Sequence, residues 1–266
     1  MPQQPRTVSN AEGLSLSKLG HVDMLALDRT PDNRFSLALL HRFETLLKEL
    51  HADKHLRAVV LKAEGPDFSY GADLSDPGMA AEMAKGTVGQ VAVADLGQRV
   101  IDLWESLPVP TYACARGHAV GAGACLLVTA DFPIVSPDCT IQFPEVDRGM
   151  HLSWGMIPRL SRVFGLTMAK RMALAGERIA AQALPPGVVR IETDPRGAAL
   201  HLAGEMAGRP PLAVRTIKKV FLEMARGNPN PAAGDPKLFA ETVGSKDFSE
   251  AVAAFFEKRL GRFEGK

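Results

Sequence analysis

The chain has 266 residues, of which 46% are hydrophobic, and its 31 basic and 30 acidic side chains give a formal net charge of +1. This length supports one large domain or two small ones, and the composition excludes a disordered protein. The balanced charge argues against a nucleic-acid-binding protein. No apolar run of about 18 residues occurs, so no membrane span is predicted. The three cysteines indicate reduced thiols. Since the N-terminal residues also show no secretory signal, we expect a cytoplasmic protein.

Strand-like and helix-like patterns alternate through the first 150 residues. Short β-branched or alternating runs predict strands at 22–29, 56–65, 108–117, 132–138 and 140–145. Amphipathic spacing predicts helices at 36–53 and 93–107. The weakly patterned segment 75–92 is expected to be a mobile loop near a site. From 166 onwards the pattern is almost wholly helical, apart from a Gly/Pro-rich loop at 227–236. The alternation is typical of an α/β fold.

Two Gly-Ala pairs each follow a predicted strand. They are Gly71-Ala72, in GPDFSYGADL, and Gly121-Ala122, in HAVGAGACLLVTAD. Neither stretch carries the Lys-Ser or Lys-Thr of a Walker loop or the third glycine of a dinucleotide fingerprint. Two such turns could aim two backbone N–H groups at one point, as an oxyanion hole requires, and a helix that begins at Ala122 would add its dipole. Tight packing of a helix against a strand explains the small residues about equally well.

Together with the run FPEVDRG at 143–149, these stretches resemble the crotonase superfamily, that is, the enoyl-CoA hydratase/isomerase family. The likeness covers nearly the whole chain, including RMALAGERIAAQAL, RPPLAVRTIKK and the ending SEAVAAFFEKR. The resemblance implies a crotonase-like spiral of ββα repeats over residues 1–200 and a helical C-terminal trimerisation region over 201–266. It also implies acyl-CoA thioester substrates, no metal or redox cofactor, and self-association as a homotrimer or homohexamer.

The resemblance also assigns the chemistry. The backbone amides of Ala72 and Ala122 would hold the thioester carbonyl, although most relatives have glycine at the second place. Hydratases of the family usually carry two catalytic glutamates, and the corresponding places here are Cys125 and Glu145. One glutamate alone can still move a proton between carbons, or protonate an enolate after decarboxylation. Pro144 is expected to favour an extended backbone that projects the Glu145 side chain inward.

Each of these residues also has an ordinary structural explanation. Without the resemblance, Glu145 would be interpreted as a surface carboxylate in a loop, and the match to the family's motif argues against that interpretation. Cys125 is predicted to line a pocket rather than act as a nucleophile, because no His or Lys near it in sequence would lower its pKa. His151 and Trp154 are expected to be pocket walls, with His151 as an alternative acid or base. Asp73 is expected to hold the turn rather than do chemistry.

Further contacts follow from the resemblance. Asn33 and Arg34 would border the path of the CoA. Phe255 and Lys258 would reach the CoA of a neighbouring subunit. Packing in the helix core explains Phe255 equally well, and a position on a solvated helix face explains Lys258 equally well. The predicted substrate-binding residues are Asn33, Arg34, Gly71, Gly121, Cys125, His151, Trp154, Phe255 and Lys258. The i, i+4 pair His51 and His55 lacks a third ligand, so no metal site is predicted.

Two classes of function remain open at this point. The first is an enzyme that uses an acyl-CoA enolate, as an isomerase, a hydratase with an altered water site, or a decarboxylase. The second is a non-catalytic crotonase-like subunit for binding or assembly. Retention of Glu145 and of both Gly-Ala turns favours the enzyme.

Overall fold

The computed structural model describes residues 6–266. Its main sheet has seven strands, in the spatial order β1 (Arg6–Ala11), β2 (Leu14–Leu19), β3 (Val22–Leu27), β4 (Ala58–Ala63), β5 (Thr111–Ala115), β7 (Phe132–Val135) and β10 (Arg190–Ile191). The first three strands pair antiparallel, and from β3 onwards the pairing is parallel. A smaller sheet contains β6 (His118–Val120), β8 (Thr140–Gln142) and β9 (Ile179–Ala180). The prediction of an α/β fold is confirmed.

The helices follow the strands in alternation and then dominate the C-terminal part. They are α1 (Leu37–Ala52), α2 (Pro77–Met83), α3 (Thr87–Glu105), α4 (Ala122–Val128), α5 (Met156–Phe164), α6 (Leu166–Leu174), α7 (Pro195–Ala207), α8 (Pro211–Ala225), α9 (Asp235–Val243) and α10 (Lys246–Glu257). None of the helices within residues 6–266 is both long enough and apolar enough to cross a membrane.

The central strands are buried on both faces because helices cover the sheet from both sides. All six residues of β3 are buried, and one face of the sheet shares its core with α1, α3 and α4. The other face packs against α7 through Ala199 and Ala203, both fully buried. The predicted division at 200/201 falls inside α7, a helix that packs on the sheet's own core.

Two predictions about local structure are wrong. The segment 75–92 is not a mobile loop, because it forms α2 and the first turns of α3. The Asp76 carboxylate caps α2 by accepting a hydrogen bond from the Met79 N–H (2.8 Å), and it also accepts one from the Leu37 N–H (3.1 Å). The chain after 166 is less helical than expected, because β9, a 3₁₀ turn at Ala181–Ala183 and β10 separate α6 from α7.

An ion pair between a buried lysine and a partly exposed carboxylate attaches α8 to the sheet. Lys218 is 6% exposed, and its Nζ donates to the Val109 carbonyl (2.8 Å) and to Asp131 Oδ2 (2.6 Å). The same carboxylate oxygen accepts hydrogen bonds from the Thr111 N–H (2.8 Å) and hydroxyl (3.0 Å). Burial lowers the pKa of Lys218, and the charge of Asp131 opposes this shift. The pair thus links the C-terminal helices to β5.

Candidate active site

The two Gly-Ala turns predicted from the sequence meet in space. Gly71 has a φ of 84°, and a Cβ on it would lie 3.0 Å from the Val120 carbonyl oxygen and 3.4 Å from the Ala122 nitrogen. Gly121, with φ 51° and ψ −118°, occupies backbone space that residues with a Cβ avoid. Glycine at both places therefore serves a sharp turn and a close approach of two backbones.

The amides of Ala72 and Ala122 are both available at this junction. Phe35 donates to the Gly71 carbonyl (2.8 Å) and accepts from the Asp73 N–H (2.9 Å), so the Ala72 N–H between them points away from Phe35. Ala122 is the first residue of α4, where N–H groups have no partner inside the helix. Within residues 6–266 neither N–H donates to a protein acceptor, and neither alanine has a positive φ. Alanine is thus compatible with this backbone at both places.

Ser69 fixes the relative position of the two turns. Its hydroxyl donates to the Asn33 carbonyl (2.7 Å) and accepts from the Gly71 N–H (3.1 Å). A Cβ on Gly123 would come within 2.5 Å of the Ser69 Cβ, so α4 can approach this side chain only with glycine there. The glycine-rich run thus allows both the packing of α4 against Ser69 and the close approach of the two turns. The sequence reasoning missed Ser69, although it lies within the quoted motif.

A largely apolar cavity of about 360 Å³ adjoins the junction. It is formed by α2, α3, the start of α4 and the segment before α5, and its lining residues are Ala72, Leu74, Met79, Ala80, Met83, Gln90, Val93, Ala94, Ala122, Cys125, Glu145, Met150, His151, Leu152, Ser153 and Trp154. A second, more polar cavity of about 420 Å³ shares Ala72 and Glu145 with it and is also lined by Arg34, Tyr70, Gly71, Gly121 and Arg148. The two amides and the Glu145 carboxyl thus lie where an apolar and a polar cavity join.

Glu145 opens a 3₁₀ turn, Val146–Arg148, and has helical dihedral angles (φ −58°, ψ −40°). The expected extended backbone is therefore wrong. The turn that aims the side chain is closed by hydrogen bonds from the N–H groups of Arg148 (3.0 Å) and Met150 (2.9 Å) to the Glu145 carbonyl. Its Oε1 lies 3.1 Å from where a Cβ on Gly121 would be.

The environment of the Glu145 carboxyl favours its neutral form. Its Oε2 is buried and has no hydrogen-bond partner among the described residues. Burial raises the pKa of Glu145, while a backbone hydrogen bond and the positive charge of Arg148 oppose the shift. A carboxyl group with a raised pKa, beside two free amide donors, can remove a proton from a bound molecule and return it.

Cys125 lies one turn along α4 from the junction and lines the apolar cavity, as predicted. It is 2% exposed, and its N–H donates to the Gly121 carbonyl (2.9 Å). Burial and the nearby charge of Glu145 raise the pKa of the Cys125 thiol well above its ordinary value. The side chain is therefore a neutral thiol and supplies neither a carboxylate nor a reactive nucleophile.

His151, Ser153 and Trp154 all line the apolar cavity, and the roles of His151 and Trp154 as walls of an acyl pocket stay a prediction. Trp154 has a φ of 59°, which is rare for a bulky residue and commonly marks a functional position. A Cβ on Gly97, in the middle of α3, would overlap the Trp154 indole ring. The sequence signal for this contact was a glycine inside a helical pattern, which the sequence reasoning did not use.

Asn33 has a different role from the one predicted. It is fully buried, and its Oδ1 accepts from the Arg29 N–H (2.8 Å) while its Nδ2 donates to the carbonyls of Glu64 (2.7 Å) and Asp67 (3.2 Å). Its side chain thus stabilises the local backbone and is not available to a ligand, so the predicted substrate contact is wrong. Arg34 does line the polar cavity and pairs with Asp32 at 3.0 Å.

The predicted contacts from α10 lie away from both cavities. Phe255 is 78% exposed, and Lys258 caps the end of α10 with a φ of 55°. Within one chain they line neither cavity, so their role toward a neighbouring subunit stays a prediction. Asp73 does hold its turn, because its Oδ1 accepts from the N–H (3.2 Å) and hydroxyl (2.6 Å) of Ser75.

Metal-binding side chains do not cluster in residues 6–266: no group of three or more His, Cys, Asp and Glu residues is placed to hold one ion. The two histidines do not share a helix face. His51 lies in the last turn of α1, where its Nε2 hydrogen-bonds with the Leu103 carbonyl (2.9 Å), whereas His55 lies beyond the end of that helix at Ala52.

Comparison with known proteins identifies the family of the chain. Residues 20–266 match the family described as "Enoyl-CoA hydratase/isomerase". The chain is 35% identical over 219 residues to the "Probable enoyl-CoA hydratase echA6" of Mycobacterium bovis, covering 80% of this chain and 83% of that one. It is 29% identical over 251 residues to the short-chain-enoyl-CoA hydratase of Clostridium acetobutylicum, covering 92% and 94%. The crystal structure of an enoyl-CoA hydratase from Bacillus anthracis superposes with a TM-score of 0.87 at 26% identity, covering 96% and 100%. The chain belongs to the enoyl-CoA hydratase/isomerase family of the crotonase superfamily.

Proposed function

We propose that the protein acts on acyl-CoA thioesters and stabilises their enolate form. The amides of Ala72 and Ala122 donate to the thioester oxygen, and Glu145 transfers the proton. The observation that carries this proposal is the position of Glu145, which brings the only carboxyl group among the described residues of the apolar cavity beside the two free amides. The apolar cavity would take the acyl group and the polar cavity the pantetheine arm, which leads toward Arg34.

The single carboxyl group favours isomerisation of an enoyl-CoA double bond. The Glu145 carboxylate removes a proton from the carbon next to the thioester of a 3-enoyl-CoA, and the electrons delocalise onto the thioester oxygen between the two amides. The same carboxyl then returns the proton to the fourth carbon, which leaves the double bond between the second and third carbons. Every proton and electron is accounted for within substrate and enzyme, so we propose that no metal or redox cofactor is needed.

A second candidate is hydration of a 2-enoyl-CoA. The names of the Mycobacterium and Clostridium relatives favour it. Hydration needs one group to activate water and another to protonate the α carbon. Cys125 does not provide the second carboxylate, so His151, which lines the same cavity, is the candidate partner of Glu145.

A panel of acyl-CoA substrates separates these reactions. Wild type and Glu145→Gln would be assayed for isomerisation of 3-hexenoyl-CoA, hydration of crotonyl-CoA and release of CO₂ from methylmalonyl-CoA. We expect isomerisation to exceed hydration and to depend on Glu145. Dominant hydration or CO₂ release would replace the proposed reaction. Binding of acyl-CoA with no turnover of any substrate would identify a non-catalytic subunit, and failure to bind would reject the proposal.

We further propose that the chain assembles as a homotrimer or as a dimer of trimers. The C-terminal helices and the segment after α10 carry large apolar side chains that are mostly exposed in a single chain, namely Phe221, Phe239, Phe255, Phe256 and Leu260. Burial of such a surface is a strong driving force for association. Light scattering at micromolar concentration should give the mass of three or six chains, and a monomer would contradict the proposal.

A further inference from the structure

Part of the wall of the apolar cavity is Trp154, which packs closely against Gly97. Gly97 lies in the middle of α3, where glycine is a poor helix former, and it is buried. A Cβ at this position would overlap the Trp154 indole, so the ring lies directly against the helix backbone. The glycine is therefore explained by the indole that occupies the space of its side chain.

One face of α3 forms the wall that leads to this contact. Gln90, Val93 and Ala94 line the cavity, and Gly97 continues their row at i, i+3, i+4 and i+7 spacing. The Trp154 indole occupies the last position of this row and also lines the cavity. A molecule that lies along this face of α3 therefore contacts the indole.

Arg159 holds the backbone that carries the indole. Its Nη1 donates to the carbonyls of Trp154 (3.3 Å) and Gly155 (3.1 Å). Its other nitrogens bind two carboxylates of α3, with 2.6 Å from Nη2 to Asp102 Oδ1 and 2.9 Å from Nε to Glu105 Oε2. The segment before α5 is thus fastened to the same helix that the indole contacts, which keeps Trp154 at its left-handed φ of 59°.

We propose that the Trp154 indole, seated on Gly97, is the end wall of the acyl pocket and limits the length of the acyl group that the protein accepts. The indole takes up room in a cavity of about 360 Å³ that a longer acyl chain would otherwise fill. The substrate class is therefore short- and medium-chain acyl-CoA, and long chains are excluded. This inference rests on the proposed function, because it assumes that the apolar cavity takes an acyl group.

The test compares the affinities of butyryl-, octanoyl- and dodecanoyl-CoA for wild type and Trp154→Ala by calorimetry. Wild type should bind the first two and bind dodecanoyl-CoA weakly. The variant should bind dodecanoyl-CoA at least about tenfold more tightly, because each additional buried methylene contributes favourably, with butyryl-CoA changed less than about threefold. Trp104→Phe is the matched control, since Trp104 is fully buried outside the cavity and its loss should leave the chain-length profile unchanged.

A second substitution tests whether volume at this point is the cause. Adding Gly97→Leu to Trp154→Ala places a new side chain in the space that the indole leaves, so it should restore discrimination against dodecanoyl-CoA. If Trp154→Ala does not fold, Trp154→Leu provides the same comparison with a smaller change. If no acyl-CoA binds to wild type, the proposed function fails. If acyl-CoAs bind but the profile of the variants matches that of wild type, the end wall is refuted while the proposed function stands.

Discussion

The Glu145 carboxyl lies directly beside Gly121: its Oε1 is 3.1 Å from the point that a Cβ on Gly121 would occupy. The positive φ of Gly121 independently favours glycine, and the next residue, Ala122, presents a free N–H. The acid and one of the two amides, held by two different turns, therefore lie side by side.

Glu145→Gln should lower turnover of the best substrate by about 10²–10⁴-fold, the usual contribution of a general acid–base group. The amide side chain keeps the size of the carboxyl and cannot accept and return the proton. Affinity for acyl-CoA should change little, because the two backbone amides remain. Steady-state kinetics and calorimetry would test this, with Glu49→Gln on the exposed face of α1 as control. Near-wild-type turnover would refute the role of Glu145.

The raised pKa of Glu145 also predicts how its replacement changes stability with pH. Between the ordinary glutamate value of about 4.3 and the higher pKa in the fold, the folded chain binds more protons than the unfolded one. Stability contributed by this group is thus complete at low pH and is lost as the pH rises through the folded-state pKa. Glu145→Gln should therefore melt at a higher temperature than wild type at neutral pH, with the difference vanishing near pH 4. A constant difference in melting temperature across pH would contradict this.

The elements that carry the site were predictable, because their signals are local. Gly71 and Gly121 lie in glycine-containing stretches that predict turns, and Glu145 lies in a short motif. The α2 helix was not predictable from its pattern, because its small residues lack an apolar repeat and its start is set by the Asp76 cap. That carboxylate also binds the Leu37 N–H at the start of α1, a contact that no local pattern encodes.

Burial of polar groups was the other limit of the sequence reasoning. Asn33 carries the same amide whether it faces a ligand or bonds three backbone groups, and only the fold shows that the second is true. The contact of Trp154 with Gly97 joins residues 57 positions apart in the chain, which a single sequence cannot pair. The dihedral angles of Glu145 are helical because the N–H groups of the following turn donate to the Glu145 carbonyl.

The thiols should resist alkylation in the native protein. Burial raises the pKa of Cys114 and of Cys139 to about 12 and raises that of Cys125 well above its ordinary value. Reaction proceeds through the thiolate, so we expect no modification by iodoacetamide at pH 8 in the folded state and modification of all three cysteines in denaturant. Mass spectrometry would count the adducts. Rapid native labelling of Cys125 would show that its environment is more open or more basic than described.

Lys218→Met should destabilise the fold by about 1–3 kcal/mol, because it leaves the Val109 carbonyl and part of the Asp131 carboxylate without their donor. The two hydrogen bonds from Thr111 to Asp131 keep the loss moderate. Chemical denaturation would measure the free energy of unfolding, with the exposed neighbour Lys219→Met as control. Equal stability of the two variants would show that the ion pair does not hold α8 to the sheet.

Cys125→Glu should raise hydration of crotonyl-CoA at least about tenfold, because it places a second carboxyl group in the cavity beside Glu145. The cavity of about 360 Å³ that Cys125 lines leaves room for the longer side chain. Cys125→Gln has nearly the same volume and no carboxyl, so it should show no gain and serves as the matched control. Hydration and isomerisation would be measured on both variants and wild type. If wild type already hydrates crotonyl-CoA as fast as Cys125→Glu, another group activates water, and His151→Asn would be the variant that identifies it.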